Sequence, residues 1–362
     1  MTVTRSDERV LLHVEDGVGR ITLNRPEALN AVDLPMLEVV TDALEAWRED
    51  SEVQIVLFDG VGDRGFSAGG DVRRIYELLE GGDQAGPEAF FRTEYQMNAT
   101  IAEYPKPVVA FADGVTMGGG IGMAGHAHVR VVTETSKLAM PETRIGFTPD
   151  AGGSWLLAHA PGRIGEYLAL TSATMGPFDA IYAGFADHYV PRGDLGAIRH
   201  ALATRADPST PTELVMLFDE TPDDSPLQAA RAWIDDAFAL DSVAAIRERL
   251  RELSEAPRWR DADPSPASAL AALTQRPPVA TTVTLAAIRS SRALPNLRAA
   301  LTQEYRLVGW FSETQPDMRE GIRAQMIDKD HQPRWSPATI EELPETIVGD
   351  AFTHQNLRAL FS

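Results

Sequence analysis

Residues 106–153 constrain this chain more than any other stretch. They run KPVVAFADGVTMGGGIGMAGHAHVRVVTETSKLAMPETRIGFTPDAGG. The apolar run 107–111 predicts a buried strand. A turn at Asp113-Gly114 follows, then Met117, three glycines and a short apolar segment, 121–127, that predicts a helix. Strand, glycines and helix in that order aim backbone N–H groups at a negative charge. Two carboxylates, Glu142 and Asp150, come soon after in MPETRIGFTPD. Donors for an oxyanion with acids close behind them predict carbonyl chemistry.

Composition narrows the partners. The 362 residues suffice for one large domain plus a smaller one, or for two, and 44% of them are hydrophobic. A formal net charge of −20 argues against nucleic acid and against anionic membrane surfaces. An anionic substrate would need local donors. The chain has no cysteine, which excludes disulfides, thiolate zinc sites and a cysteine nucleophile. The N-terminal MTVTRSDERV carries no apolar signal core, and no run of about 18 apolar residues occurs. The expectation is a cytoplasmic protein with no membrane span.

Taken in order, 10–14 and 19–23 read as two strands around Asp16-Gly17, a hairpin. NRPEALNAV is a loop. Asp33 can cap a helix with Pro35 in its first turn, and Leu37, Val40, Leu44 and Trp47 recur at helical spacing. The apolar run 53–58 is a strand. Strand, helix, strand predicts a right-handed crossover in a parallel sheet. Helices are expected at 155–160, 164–170 and 177–183, with a short strand at 186–190. From Asp194 strand-like runs stop and helical patterns dominate: 227–240, 242–253, 279–288, 297–311 and 317–327. A domain boundary is placed near 193, giving regions 1–193 and 194–362.

The loop DGVGDRGFSAGGD invites several readings. Gly60, Gly62 and Gly65 match the dinucleotide fingerprint, but a further loop intervenes before any helix, and the pairing acid is only ambiguously Glu77 or Glu80. Gly65-Phe66-Ser67-Ala68-Gly69 matches a serine nucleophile elbow, with Asp150 and His159 or His188 following. An elbow must turn directly from strand to helix, and this serine lies well past Phe58. A third reading is a loop whose glycines let the backbone approach a ligand, with Asp71 capping a helix at 72–79. The plain alternative is a turn-rich surface loop. Glu94 sits in a helix expected at 87–103, where a lone glutamate is ordinarily a solvated charge. His126 and His128 would share a face of a strand, but no third ligand is near and no metal is expected.

The motifs LNRPEALNA, FSAGGD, KPVVA and TMGGG resemble those of the crotonase (enoyl-CoA hydratase/isomerase) superfamily. AMPETRIGFTPDAGGSWLL, ALT…AGFADHYV, TTVTLAAIR, QEYR and EGIRAQMIDKDHQPRWSP are similar to the 3-hydroxyisobutyryl-CoA hydrolase family within it. The resemblance spans almost the whole chain. It implies an α/β fold, a crotonase-like ββα spiral core with a C-terminal helical region. By motif match it implies an oxyanion hole formed by the N–H groups of Gly70 and Gly119, the latter aided by its helix dipole. The loops carrying Ala28 and Ala68 would hold the adenine part of coenzyme A. The position of the first hydratase glutamate is Gly122 here. That of the second is Glu142, which is kept, and Asp150 is present as in the hydrolases. Glu94 falls on a glutamate used at the substrate.

One glutamate lost and an aspartate gained favour hydrolysis of a short 3-hydroxyacyl-CoA, as in valine breakdown, over the alternative of enoyl-CoA hydration or isomerisation. Thioester hydrolysis needs an oxyanion site, a carboxylate and a way to release the thiolate. Glu142 is assigned as the carboxylate. Asp150 would orient it, orient the substrate hydroxyl or donate a proton. The resemblance implies an acyl-CoA substrate, no separate cofactor and a homo-oligomer, unless the longer tail covers its own site instead.

Overall fold

The computed structural model describes residues 5–205, 210–220 and 224–361. Within them lie the strands β1 (Val10–Glu15), β2 (Val18–Leu23), β3 (Ile55–Gly60), β4 (Gly65–Ser67), β5 (Val108–Phe111), β6 (Val115–Met117), β7 (Val129–Val132), β8 (Lys137–Ala139) and β9 (His188–Tyr189). Six form one sheet in the order β1-β2-β3-β5-β7-β9. The β1–β2 hairpin is antiparallel, with Val10 opposite Leu23; every later pair is parallel. The β2-helix-β3 unit is the crossover that the sequence predicts. Its helix, Leu34–Arg48, is capped by Asp33, whose side chain accepts the N–H of Met36, and it buries Leu37, Val40, Leu44 and Trp47.

The second sheet, β4-β6-β8, is not among the strands expected from the sequence. Each of its strands is three residues long. Three residues are too few for an alternation to register.

Contacts divide the chain into two compact units. One comprises Met1–Asp71, Arg92–Leu138 and Met175–Asp223; the other comprises Val72–Phe91, Ala139–Thr174 and Asp224–Ser362. The boundary expected near 193 differs from this division. Strands do end at β9, but the helices Leu195–Thr204 and Pro211–Met216 lie in the first unit, because they cover one face of its large sheet. Two earlier stretches fall in the second unit with the C-terminal helices.

In the first unit, Val18, Ile55, Leu57, Val109, Phe111, Val129 and Val131 form one side of a core whose other side is Ile198, Leu202 and Val215. The alternate residues Val56, Phe58, Val108 and Ala110 are also buried. Burial on both faces is why these parallel strands read as continuous apolar runs.

The second unit is helical. Pro226–Phe238, Val243–Ser254 and Leu297–Thr314 open on Ser225, Ser242 and Asn296, each accepting a backbone N–H from inside the first turn. The ring of Trp233 meets Tyr167 edge-on at 5.6 Å. The helix expected over 317–327 is Pro316–Ile322, followed by a wider π turn at Arg323–Ile327. There Asp328 donates back to the carbonyl of Arg323.

Leu57 is buried between strand and helix layers, so Leu57→Ala is expected to lower the unfolding free energy by about 2–5 kcal/mol. Leu11→Ala, at an exposed position of β1, is expected to change it by less than about 0.5 kcal/mol. Urea denaturation of the two variants checks the contrast.

Candidate active site

In the first unit the backbone of Gly70 forms an isolated parallel bridge with Val32. Val32 donates to Gly69 and Asp71 donates to Val32, so the N–H of Gly70 points away from that bridge. Gly118, at φ 50°, turns the chain into the short helix Gly119–Ala124. The N–H of Gly119 is therefore a first-turn donor without an intrahelical acceptor. A Cβ built on Gly119 would stand 3.4 Å from the nitrogen of Gly70 and would collide with Oε1 of Glu94. The nitrogen of Gly70 and the carboxyl of Glu94 thus both lie beside Gly119. Glu94 is 2% exposed, so it is not the solvated helix charge that a lone glutamate ordinarily is. Gly122 is buried in the same short helix.

The loops carrying Ala28 and Ala68 lie side by side. Ala68 donates its N–H to Leu29, 2.9 Å away, and Ala28 closes the single turn Pro26–Ala28. Asn30 pegs them together. It is fully buried, its amide donates to the carbonyls of Val61 and Gly65, and its Oδ1 accepts from Arg25. The sequence shows Asn30 only as a breaker of periodicity, so this holding role is not legible there. Arg25 also pairs with Asp71 at 2.7 Å, and Arg64 reaches the carbonyl of Pro26.

The competing readings of this region do not fit the geometry. Ser67 is fully buried. Its hydroxyl donates to Asn30 and accepts the N–H of Gly69, so it is no exposed nucleophile. Gly60 ends β3 and Gly65 begins β4, and no helix opens between them. The ring of His128 accepts the N–H of Val108, and burial lowers its pKa. Among the described residues no three His, Asp, Glu or Cys side chains are grouped to hold a metal.

In the second unit Glu142 opens the one-turn helix Glu142–Ile145 and is 6% exposed. The turn is gripped from two sides. On one, Thr143 bonds to the carbonyl of Ala169 and to the hydroxyl of Ser172. Arg276 in turn bonds to Ser172 and to the carbonyl of Thr171. Burial, with the charge of Arg144 added, lowers the pKa of Arg276 to about 10.

On the other side, helix Pro316–Ile322 lies backbone against backbone. A Cβ on Gly146, at φ 75°, would strike the carbonyl of Asp317, and one on Gly321 would strike that of Ile145. Phe147 stacks on Phe91 and meets Phe311 edge-on. The tail motif locks this arrangement. Asp317 accepts the N–H of Ser336, Arg323 gathers Glu320, Asp328 and Asp330, and the indole of Trp335 donates to Gln275.

Asp150 is 5% exposed and its carbonyl accepts the N–H of Gly153. The next two residues, Ala151 at φ 52° and Gly152 at φ 80°, are left-handed. They lead into helix Gly153–His159. The N–H groups of Gly152 and Ser154 both go to the carboxyl of Glu304, at 2.7 and 2.8 Å. Sequence reasoning passes over Glu304. The available signal is an acid within the apolar stripe of helix Leu297–Thr314, beside Leu301 and Val308.

Burial raises the pKa of Asp317 from 3.8 to about 6. A raised carboxyl disfavours the folded state once the unfolded chain ionises, so this contribution to stability falls as pH rises from about 4 to 6. Asp317→Asn removes the titration. The unfolding free energy of the variant relative to the native chain is expected to rise across that window and to level off above it. Denaturant titrations at several pH values measure this.

The chain is similar to known proteins along nearly its full length. A family profile described as enoyl-CoA hydratase/isomerase matches residues 18–352. A relative from Gallus gallus, named 3-hydroxyisobutyryl-CoA hydrolase, mitochondrial, is 36% identical over 96% of this chain and 90% of its own length. Its name lends no support to the cytoplasmic location expected from the sequence. A solved structure titled carnitinyl-CoA dehydratase, from Mycobacterium thermoresistibile, is 41% identical with a TM-score of 0.89, covering 98% of both chains. One titled enoyl-CoA hydratase, from Rhodobacter sphaeroides 2.4.1, is 40% identical with a TM-score of 0.87, covering 96% of this chain and 98% of its own. Matched along nearly its full length in sequence and in fold, the chain belongs to the enoyl-CoA hydratase/isomerase family, and its α/β fold is the crotonase fold.

Proposed function

We propose that this protein hydrolyses a short 3-hydroxyacyl-CoA thioester, 3-hydroxyisobutyryl-CoA, to 3-hydroxyisobutyrate and coenzyme A, a step of valine catabolism. The observation that carries this reading is the similarity, 36% and 33% identity over 96% of the chain, to proteins named 3-hydroxyisobutyryl-CoA hydrolase. Gly122 at the position of the first hydratase glutamate supports it, because glycine cannot exchange a proton. The hydratase or isomerase reading has its own support in the titles of the two solved structures.

In the proposed reaction the thioester oxygen accepts the N–H groups of Gly70 and Gly119. Fixed donors favour the tetrahedral oxyanion over the planar ground state, because charge develops on that oxygen. Glu142 attacks the carbonyl carbon, expelling the coenzyme A thiolate and leaving an anhydride that water then hydrolyses, or it takes a proton from a water that attacks that carbon directly as the C–S bond breaks. Asp150 orients Glu142 or the substrate hydroxyl, or returns a proton to the departing thiolate. Glu94 borders the oxyanion donors and lies against the acyl group. The backbone of the loops at Ala28 and Ala68 holds the adenine. Coenzyme A enters only as part of the substrate and no further cofactor is required. The substrate is a small molecule, nucleic acid and membrane are not partners, and the protein forms a homo-oligomer unless its own tail covers the site instead.

An assay with a thiol reagent, run beside loss of crotonyl-CoA absorbance, separates the two readings. Release of coenzyme A from 3-hydroxyisobutyryl-CoA is expected to outrun hydration of crotonyl-CoA by a wide margin. Faster hydration than hydrolysis would overturn the reading.

Glu142→Gln keeps size and hydrogen bonding but can neither attack nor take a proton. A loss in kcat of roughly 10²–10⁴-fold is expected, with product affinity near normal. If the variant keeps more than about a tenth of kcat, the reacting carboxylate is another residue.

A further inference from the structure

Glu304 is an acid that the proposed reaction does not use. It has no exposed surface, and its partners are two backbone N–H groups and a hydroxyl rather than a cation. Those N–H groups belong to Gly152 and Ser154, at the start of helix Gly153–His159. That helix opens on Gly152, which has no side chain to cap it. The two left-handed residues behind Asp150 are therefore closed by a carboxyl from a helix 152 positions further along the chain.

A buried polar chain continues inward from this point. The Ser154 hydroxyl meets that of Ser291 at 2.9 Å, and Gln303 donates to Ser291. Gln303 accepts in turn from Ser290. Such a fully bonded network holds its members in one arrangement.

We propose that Glu304 is a positioning residue for Asp150: its carboxyl closes the turn behind Asp150 and so fixes where the Asp150 side chain stands. Glu304 matters to turnover only through the role proposed above for Asp150, on which this inference rests. Burial, with the charge of Asp150 added, pushes Glu304 up to about 8. It is then largely neutral below about pH 8. A neutral carboxyl keeps lone pairs for both N–H groups.

Glu304→Gln tests this. The amide keeps one acceptor but turns its NH₂ towards the second backbone N–H, so one bond is lost. Three readouts apply to the native chain, Glu304→Gln, Asp150→Asn and the double variant. The first is hydrolysis of 3-hydroxyisobutyryl-CoA: kcat is expected to fall roughly 10–100-fold in Glu304→Gln, with KM within about twofold. The second is additivity: the double variant is expected to be no slower than Asp150→Asn alone, since groups acting as a unit do not add. The third is hydrogen exchange, in which the amides of Gly152 and Ser154 are expected to exchange at least about tenfold faster in Glu304→Gln.

A merely stabilising capping acid would lower stability and leave kcat and the additivity test untouched. Glu304→Gln at more than half the native kcat, losses that multiply in the double variant, or unchanged exchange at Gly152 and Ser154 each overturns the proposal. If Glu304→Gln does not fold, Glu304→Asp, with both oxygens on a shorter arm, carries the same comparison. A native chain that releases no coenzyme A refutes the hydrolase reading. The exchange arm still decides on its own whether Glu304 closes the turn.

Discussion

Main chain packed against main chain, with no side chain between, is the constraint on which both sets of candidate site residues depend. At Gly69 the missing Cβ lets the chain lie directly on the carbonyl of Met117 and the nitrogen of Gly119. At Gly146 and Gly321 the missing Cβ atoms let helix Pro316–Ile322 lie directly on the Glu142 turn. A backbone held by another backbone has few soft degrees of freedom. Side chains hop between rotamers, whereas peptide planes fixed on two sides do not. The groups that must point accurately are therefore carried by peptide units, or stand one residue from them.

Electrostatics in so acidic a chain follows a related economy. With a net charge of −20, no long-range field favours an acyl-CoA. Attraction must come from short-range donors, and the neighbouring N–H groups of Gly70 and Gly119 are of that kind. Buried acids are handled in two ways. Glu166 is fully buried and shared between Arg163 and Arg292. Glu304 has backbone donors instead of a cation, and its proton affinity rises. The same residue type thus serves as an ion-pair partner in one place and as a brace on backbone N–H groups in another, according to what surrounds it.

Much of the fold was legible in the sequence because it rests on local signals. The β1–β2 hairpin, the Asp33-capped helix and the apolar parallel strands each carry their own pattern over five or more residues. Of the site, Glu142, Asp150 and the glycine turn at 118–120 were legible through motif and spacing. What escaped depends on partners far off in the chain. The strands β4, β6 and β8 exist because they pair, and three residues alone declare nothing. Glu94 reads from its own helix as an ordinary charge, and only the family resemblance marks it; its place beside Gly119 comes from the fold. Glu304 acts on residues 152 and 154, and no window of local periodicity spans that separation. The change of texture near 193 is real, but texture records secondary structure, whereas compact units record contacts.

The interleaving of those units bears on how the protein is made. A ribosome delivers the chain from its N-terminus, and the first unit has all of its segments by Asp223. The segments Val72–Phe91 and Ala139–Thr174, with Glu142 and Asp150 among them, emerge early but belong with helices that follow Asp224. Until those helices are translated, apolar residues such as Phe91, Phe147 and Leu157 lack the neighbours that bury them. Nascent chains in that interval are substrates for chaperones and liable to aggregate. Premature termination within the last third would release a protein with a finished sheet and unsupported reactive turns. Cellular quality control, rather than catalysis alone, then presses on the sequence of the tail.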